Sequence, residues 1–72
     1  MKVRDVVLHS TAIITSQTHL RIMQLSADGV PAIIAEGTKY GDTILGQGGR
    51  KVNSLYWDSF LDRVDIWVAR DD

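Results

Sequence analysis

Apolar positions along this chain change their spacing once, and the change divides it into a helical start and a stranded remainder. Val3, Val6, Val7, Ile13 and Ile14 fall near one face of a helix, with Leu8 beside them. This predicts a short N-terminal helix from about Lys2 that fades between His9 and Thr11, where Ser and Thr compete for backbone partners. From Leu20 onward the spacing is two. Leu20 to Leu25 (LRIMQL) alternates, Ala27-Asp28-Gly29 supplies a turn, and Pro31 to Glu36 (PAIIAE) follows, with Pro at the first strand position where its missing N–H does least harm. Those two runs read as a hairpin. Asp42 is placed to cap a single helical turn through Leu45, and Gly46-Gln47-Gly48-Gly49 reads as a loop.

Lys51 to Trp57 (KVNSLYW) and Val64 to Ala69 (VDIWVA) give the clearest signal, joined by Asp58-Ser59-Phe60-Leu61-Asp62-Arg63. An antiparallel pair centred near Phe60 and Leu61 places Leu55 opposite Ile66 and Trp57 opposite Val64. The other face of the same hairpin then carries Ser54, Tyr56, Asp65 and Trp67. The expected fold is α+β: a short N-terminal helix plus a mainly antiparallel sheet of about four strands, one domain over residues 1–72. One short helix covers one face of such a sheet, and the uncovered face should be polar. Tyr56 and Trp67 break that rule, and they belong to a residue class enriched at protein interfaces. They are the expected oligomer interface, through this face or through the edge of the last strand.

Size points the same way. A domain of 72 residues buries only about 60% of its unfolded surface. With no cysteine and two histidines, disulfides and thiolate zinc sites are excluded, and self-association is the stabilising device left. Eight basic and nine acidic residues are scattered along the chain, for a net charge of −1. That balance disfavours duplex nucleic acid as a partner. No apolar run approaches the ~20 residues a bilayer crossing needs, and the start lacks signal-peptide character, so the expected setting is cytoplasmic with no membrane partner.

No nucleophile elbow, zinc-type histidine pair or cysteine nucleophile is present, so an enzyme is not expected. His9 beside Ser10 and Thr11 resembles a base next to a hydroxyl, but helical neighbours do not face each other. Asp5, one turn earlier, is placed to pair with His9, and His19 reads as a surface residue. Asp58, Asp62 and Asp65 lack the spacing of a calcium loop. No metal or cofactor is expected. Phosphate-site character is confined to Gly46-Gln47-Gly48-Gly49-Arg50-Lys51. Glycines let backbone N–H groups converge on an anion, and Arg50 and Lys51 add charge. It is neither a P-loop nor a dinucleotide fingerprint. The candidate ligand site is Lys39, Tyr40, Gly48, Gly49, Arg50, Lys51 and Trp57, with an aromatic (Tyr40, Tyr56 or Trp57) to stack a base and Arg70 as a further charge.

The start MKVRDVV, then THLRI, the turn ADG, a strand ending AEGT, then RKVNS and VDIWV resemble small accessory proteins of Gram-positive-type phages and prophages, a short helix followed by hairpins. The resemblance covers most of the chain and carries no catalytic motif. Ser10 to Gln17 is longer than in that pattern, and the Gly-rich loop and paired tryptophans are additions to it. What the resemblance implies is an anti-defence role: a homo-oligomer that sequesters a nucleotide-like small molecule, or alternatively an inhibitor or adaptor that binds a host protein through the aromatic sheet face or an edge strand.

Overall fold

In the computed structural model, which describes residues 1–9 and 13–70, α1 (Val3–His9) leads into β1 (His19–Leu25) and β2 (Pro31–Gly37). A single helical turn, α2 (Asp42–Leu45), then precedes β3 (Val52–Asp58) and β4 (Arg63–Val68). The α+β class follows from the two spacings in the sequence. Alternating β-branched and large apolar residues make the strands, and the 3.6-residue spacing of the valines makes α1. Ser10 and Thr11, where the helix is expected to fade, lie outside the described residues.

Both hairpins form. At the first, Gly29 takes φ 80, a conformation open to glycine at little cost. Its N–H donates to Ser26 O at 2.9 Å, and Ser26 N–H donates to Val30 O at 2.9 Å. At the second, Leu55 pairs with Ile66 and Trp57 with Val64, the register that alternation predicts. The two hairpins are joined through the middle, where β1 runs parallel to β4 and the order is β2-β1-β4-β3. Two of the three pairings are antiparallel and the central one is parallel. The last strand is therefore interior and has no free edge to offer a partner; the edges belong to β2 and β3.

One face of the sheet is covered. Leu20 and Ile22 of β1 and Val64, Ile66 and Val68 of β4 pack with Val3, Val6 and Val7 of α1, and with Ile14 and Ile44. None of these is more than 4% exposed. Backbone bonds clamp α1 onto this core: Val3 N–H donates to Arg50 O at 2.9 Å and Arg4 N–H to Gly48 O at 3.1 Å. Asp5 turns back to accept the Lys2 N–H at 2.9 Å instead of pairing with His9, and this bond holds its carboxyl below the usual carboxylate range. The cap of α2 also differs from expectation. Gly41 is its N-cap, with no side-chain cap bond, and Asp42 sits at the first helical position, where its charge still faces the positive end of the turn.

A helix about 10 Å wide spans roughly two strands spaced ~4.8 Å apart. α1 therefore covers β1 and β4 and leaves β3 outside. Leu55 and Trp57 point to the core side yet remain 47% and 53% exposed. Ile66, on the central strand β4 at 0% exposure, is a sensitive packing position. Ile66→Ala should lower the unfolding free energy by about 2–5 kcal/mol in urea titration.

Candidate functional site

The face of the sheet opposite α1 has no second layer, and its side chains form ordered rows. Ile33, Met23, Trp67 and Ser54 lie side by side across all four strands, followed by Glu36, Arg21, Asp65 and Tyr56, and then by His19, Arg63 and Asp58. The second row is knitted by charge. Arg21 Nε and Nη2 donate to the two oxygens of Asp65 at 2.7 and 2.8 Å, a bidentate pair between the two central strands. Arg63 Nε approaches Asp65 Oδ1 at 3.5 Å, and His19 Nε2 lies 2.9 Å from Glu36 Oε2. Asp65 is only 6% exposed and Met23 only 7%, because their long neighbours fold over them. Arg21 holds the Asp65 carboxyl below its ordinary range; burial opposes the shift and Arg63 adds a smaller pull.

Beside this lattice the face is apolar. Trp67 is half-buried between Met23 and Ser54, and with Leu25, Ser54, Ala69 and Arg70 it walls an open depression of about 510 Å³. Tyr56, on the outer strand, is 61% exposed. Tyr56 and Trp67 thus share one solvent-facing surface, while Trp57 lies on the other side of the sheet.

The β3 edge is the more unusual feature. Leu55, Tyr56 and Trp57 are consecutive, all exposed, and flanked by Ser54 and Asn53. No charge or proline occurs between Val52 and Trp57. Edge strands are ordinarily blunted by lysine, proline or a covering loop. Here a bulge falls at Asn53, between Val52 and Ser54, and the outer edge is paired at its start, where Met1 O accepts the Val52 N–H at 2.9 Å.

The residues expected to form one ligand site separate into four places. Lys39 lies 5.1 Å above the Tyr40 ring, and the two flank an apolar depression with Val7, Leu8 and Leu45. Gly48 belongs to a neighbouring cleft between α1 and α2, with Val3, Arg4 and Ile44. Gly49, Arg50 and Lys51 line a separate open depression of about 540 Å³ with Gly46 and Gln47. Trp57 is about 20 Å along β3 from Lys51.

The loop itself is folded into successive turns. Gly46, Gln47, Gly48 and Arg50 spend their N–H groups on the carbonyls of Asp42, Ile44, Leu45 and Gln47. None of its glycines has the positive φ of an alternating anion nest. Anion binding here would fall to the Arg50 and Lys51 side chains, and Arg50 Nε already donates to Gln47 Oε1 at 3.0 Å. The three hairpin aspartates also diverge. Asp58 accepts the Phe60 and Leu61 N–H groups, Asp62 accepts the Thr18 hydroxyl, and Asp65 holds Arg21.

No protein-family model, curated protein or solved structure matches this chain. Its function is read from its own surface. The Arg21–Asp65 pair escaped the sequence reading, although LRIM and VDIW share one pattern with opposite charges at its second position.

That pair makes stability depend on pH. The folded-state pKa of Asp65 is depressed, so its contribution is complete above the unfolded value of about 3.9 and is lost as pH falls through the lower folded value. Chemical denaturation between pH 6 and pH 2 should show this loss, and Asp65→Asn should flatten the slope at the acid end. Arg21→Ala, which leaves the Asp65 carboxylate without its main partner, should cost about 1–3 kcal/mol at neutral pH.

Proposed function

We propose that this chain is a non-catalytic protein-binding module that takes an extended segment of a partner onto the free edge of β3. The observation that carries this reading is the run Leu55-Tyr56-Trp57, exposed on an edge strand with no charge from Val52 to Trp57. Main-chain donors and acceptors along such an edge supply affinity, and alternate side chains of the added strand meet the two faces in turn. One set would lie against Tyr56 and the open face, the other against Leu55 and Trp57. Completing the burial of a large apolar side chain that is already half-buried contributes about 1 kcal/mol, so three in a row give the edge a substantial apolar gain.

The resemblance to phage accessory proteins supplies a setting, that of an inhibitor or adaptor acting stoichiometrically on a host protein. Capture from bacterial lysate should recover a defined partner with the parent chain and lose it with Tyr56→Lys/Trp57→Lys, a pair of exposed substitutions that blunt the edge and leave the circular dichroism spectrum unchanged. A partner retained equally by the folded variant would remove the edge from consideration.

A second reading, sequestration of a nucleotide-like ligand by an oligomer, is supported by one feature: among the described residues, Arg50 and Lys51 are the charged side chains lining their depression. Native mass spectrometry with linear and cyclic nucleotides should then show a bound mass with the parent and none with Arg50→Ala/Lys51→Ala.

A further inference from the structure

The tip of the second hairpin and the groove between the two helices are complementary surfaces of the same chain. Phe60 is 94% exposed, the most exposed large apolar side chain among the described residues, and Leu61 beside it is 54% exposed. The tip is held in shape. Asp58 Oδ1 accepts the N–H groups of both Phe60 and Leu61 at 3.1 Å, and Asp62 takes φ 49 and accepts the Thr18 hydroxyl at 3.0 Å. The apolar knob therefore projects from a pre-formed turn with a carboxylate on each side, so little ordering cost remains for docking.

The groove has the opposite character. Two adjoining depressions share Val7, Leu8 and Leu45, and the cations at their rim are Arg4 and Lys39; among the described residues, no acidic one lines either. Leu8 is 65% exposed and Leu45 57%. Gly48 forms part of the wall, and a Cβ there would stand 3.4 Å from Arg4 Cβ and 3.2 Å from Leu45 O. Its lack of a side chain lets the loop close tightly behind the groove.

We infer that the Phe60–Leu61 tip of one copy seats in the α1–α2 groove of a second copy, with Asp58 and Asp62 facing Arg4 and Lys39. Apolar matches apolar and acid matches base, which fixes polarity as well as affinity. The contact joins two different patches, so a tip or a groove left over can engage a further copy, or the pair can close on itself. It uses neither the β3 edge nor the open sheet face, so it stands or fails independently of the docking reading above.

Sedimentation velocity over a concentration series tests it. The parent should self-associate, and Phe60→Ala should weaken association about thirtyfold, as loss of a central aromatic anchor does. Phe60→Asp, which spoils the tip, and Leu45→Asp, which spoils the groove, should each be monomeric. An equimolar mixture of the two should recover a dimer, because each supplies the half the other lacks. Both positions face solvent; if Leu45→Asp loses its circular dichroism spectrum, Leu8→Asp replaces it. A monomeric parent at every concentration, association of Phe60→Asp equal to the parent, or a mixture that stays monomeric would each overturn the inference.

Discussion

Everything in this molecule depends on the parallel pairing of β1 with β4. Without it the chain would be two separate hairpins, and an isolated hairpin is marginal in water. With it, Leu20, Ile22, Val64 and Ile66 form a continuous apolar patch that α1 can cover. The same seam carries the Arg21–Asp65 pair on its far side. The central strands are thus fastened on one face by burial and on the other by a bidentate ion pair. Burial favours any apolar neighbour, whereas the ion pair favours one register, since a one-residue slip would turn every side chain to the wrong face.

What this seam does not bring under cover sets the exposed apolar surface. α1 is wide enough for the two strands that the seam joins and no more. Leu55 and Trp57 are spaced as core residues and sit on the core side, but they lie beyond the reach of the helix. The result is a strand that is apolar on both faces, at an edge, with β4 on one side and, beyond the Val52 N–H that Met1 O accepts, no strand on the other among the described residues. So small a core leaves such residues uncovered for a structural reason, and the docking proposed above would make use of the surplus.

How far the sequence discloses this depends on range. The β3–β4 register was legible because six residues of turn link two alternating runs, so centring the turn aligns Leu55 with Ile66 and Trp57 with Val64. The turn at Gly29 was legible from glycine chemistry. The central pairing was not, because it joins residues 44 apart and leaves no periodic trace; the matched pattern of LRIM and VDIW was its only sign. Of the site, the shared face of Tyr56 and Trp67 followed from strand alternation. The loop at Gly46 to Lys51 is ambiguous in sequence because glycines suit an anion cradle and a tight run of turns equally well. Only the hydrogen-bond partners distinguish the two, and here the amides of Gly46, Gln47, Gly48 and Arg50 are already engaged. The distance of Trp57 from that loop follows from strand rise once Val52 is known to start β3.

The order β2-β1-β4-β3 also has a consequence for how the chain comes together in time. β1 must wait, with one side unpaired, until a segment more than forty residues further along has been made and has found it. Closing so large a loop is costly, and the contacts that offset it arrive only when β4 docks. Until then Leu20 and Ile22 have no strand on that side to shield them, and the nascent first hairpin is the stretch most open to wrong partners. A strand placed in the middle of a sheet, forty residues and more after its partner, makes the fold wait for its most distant contact.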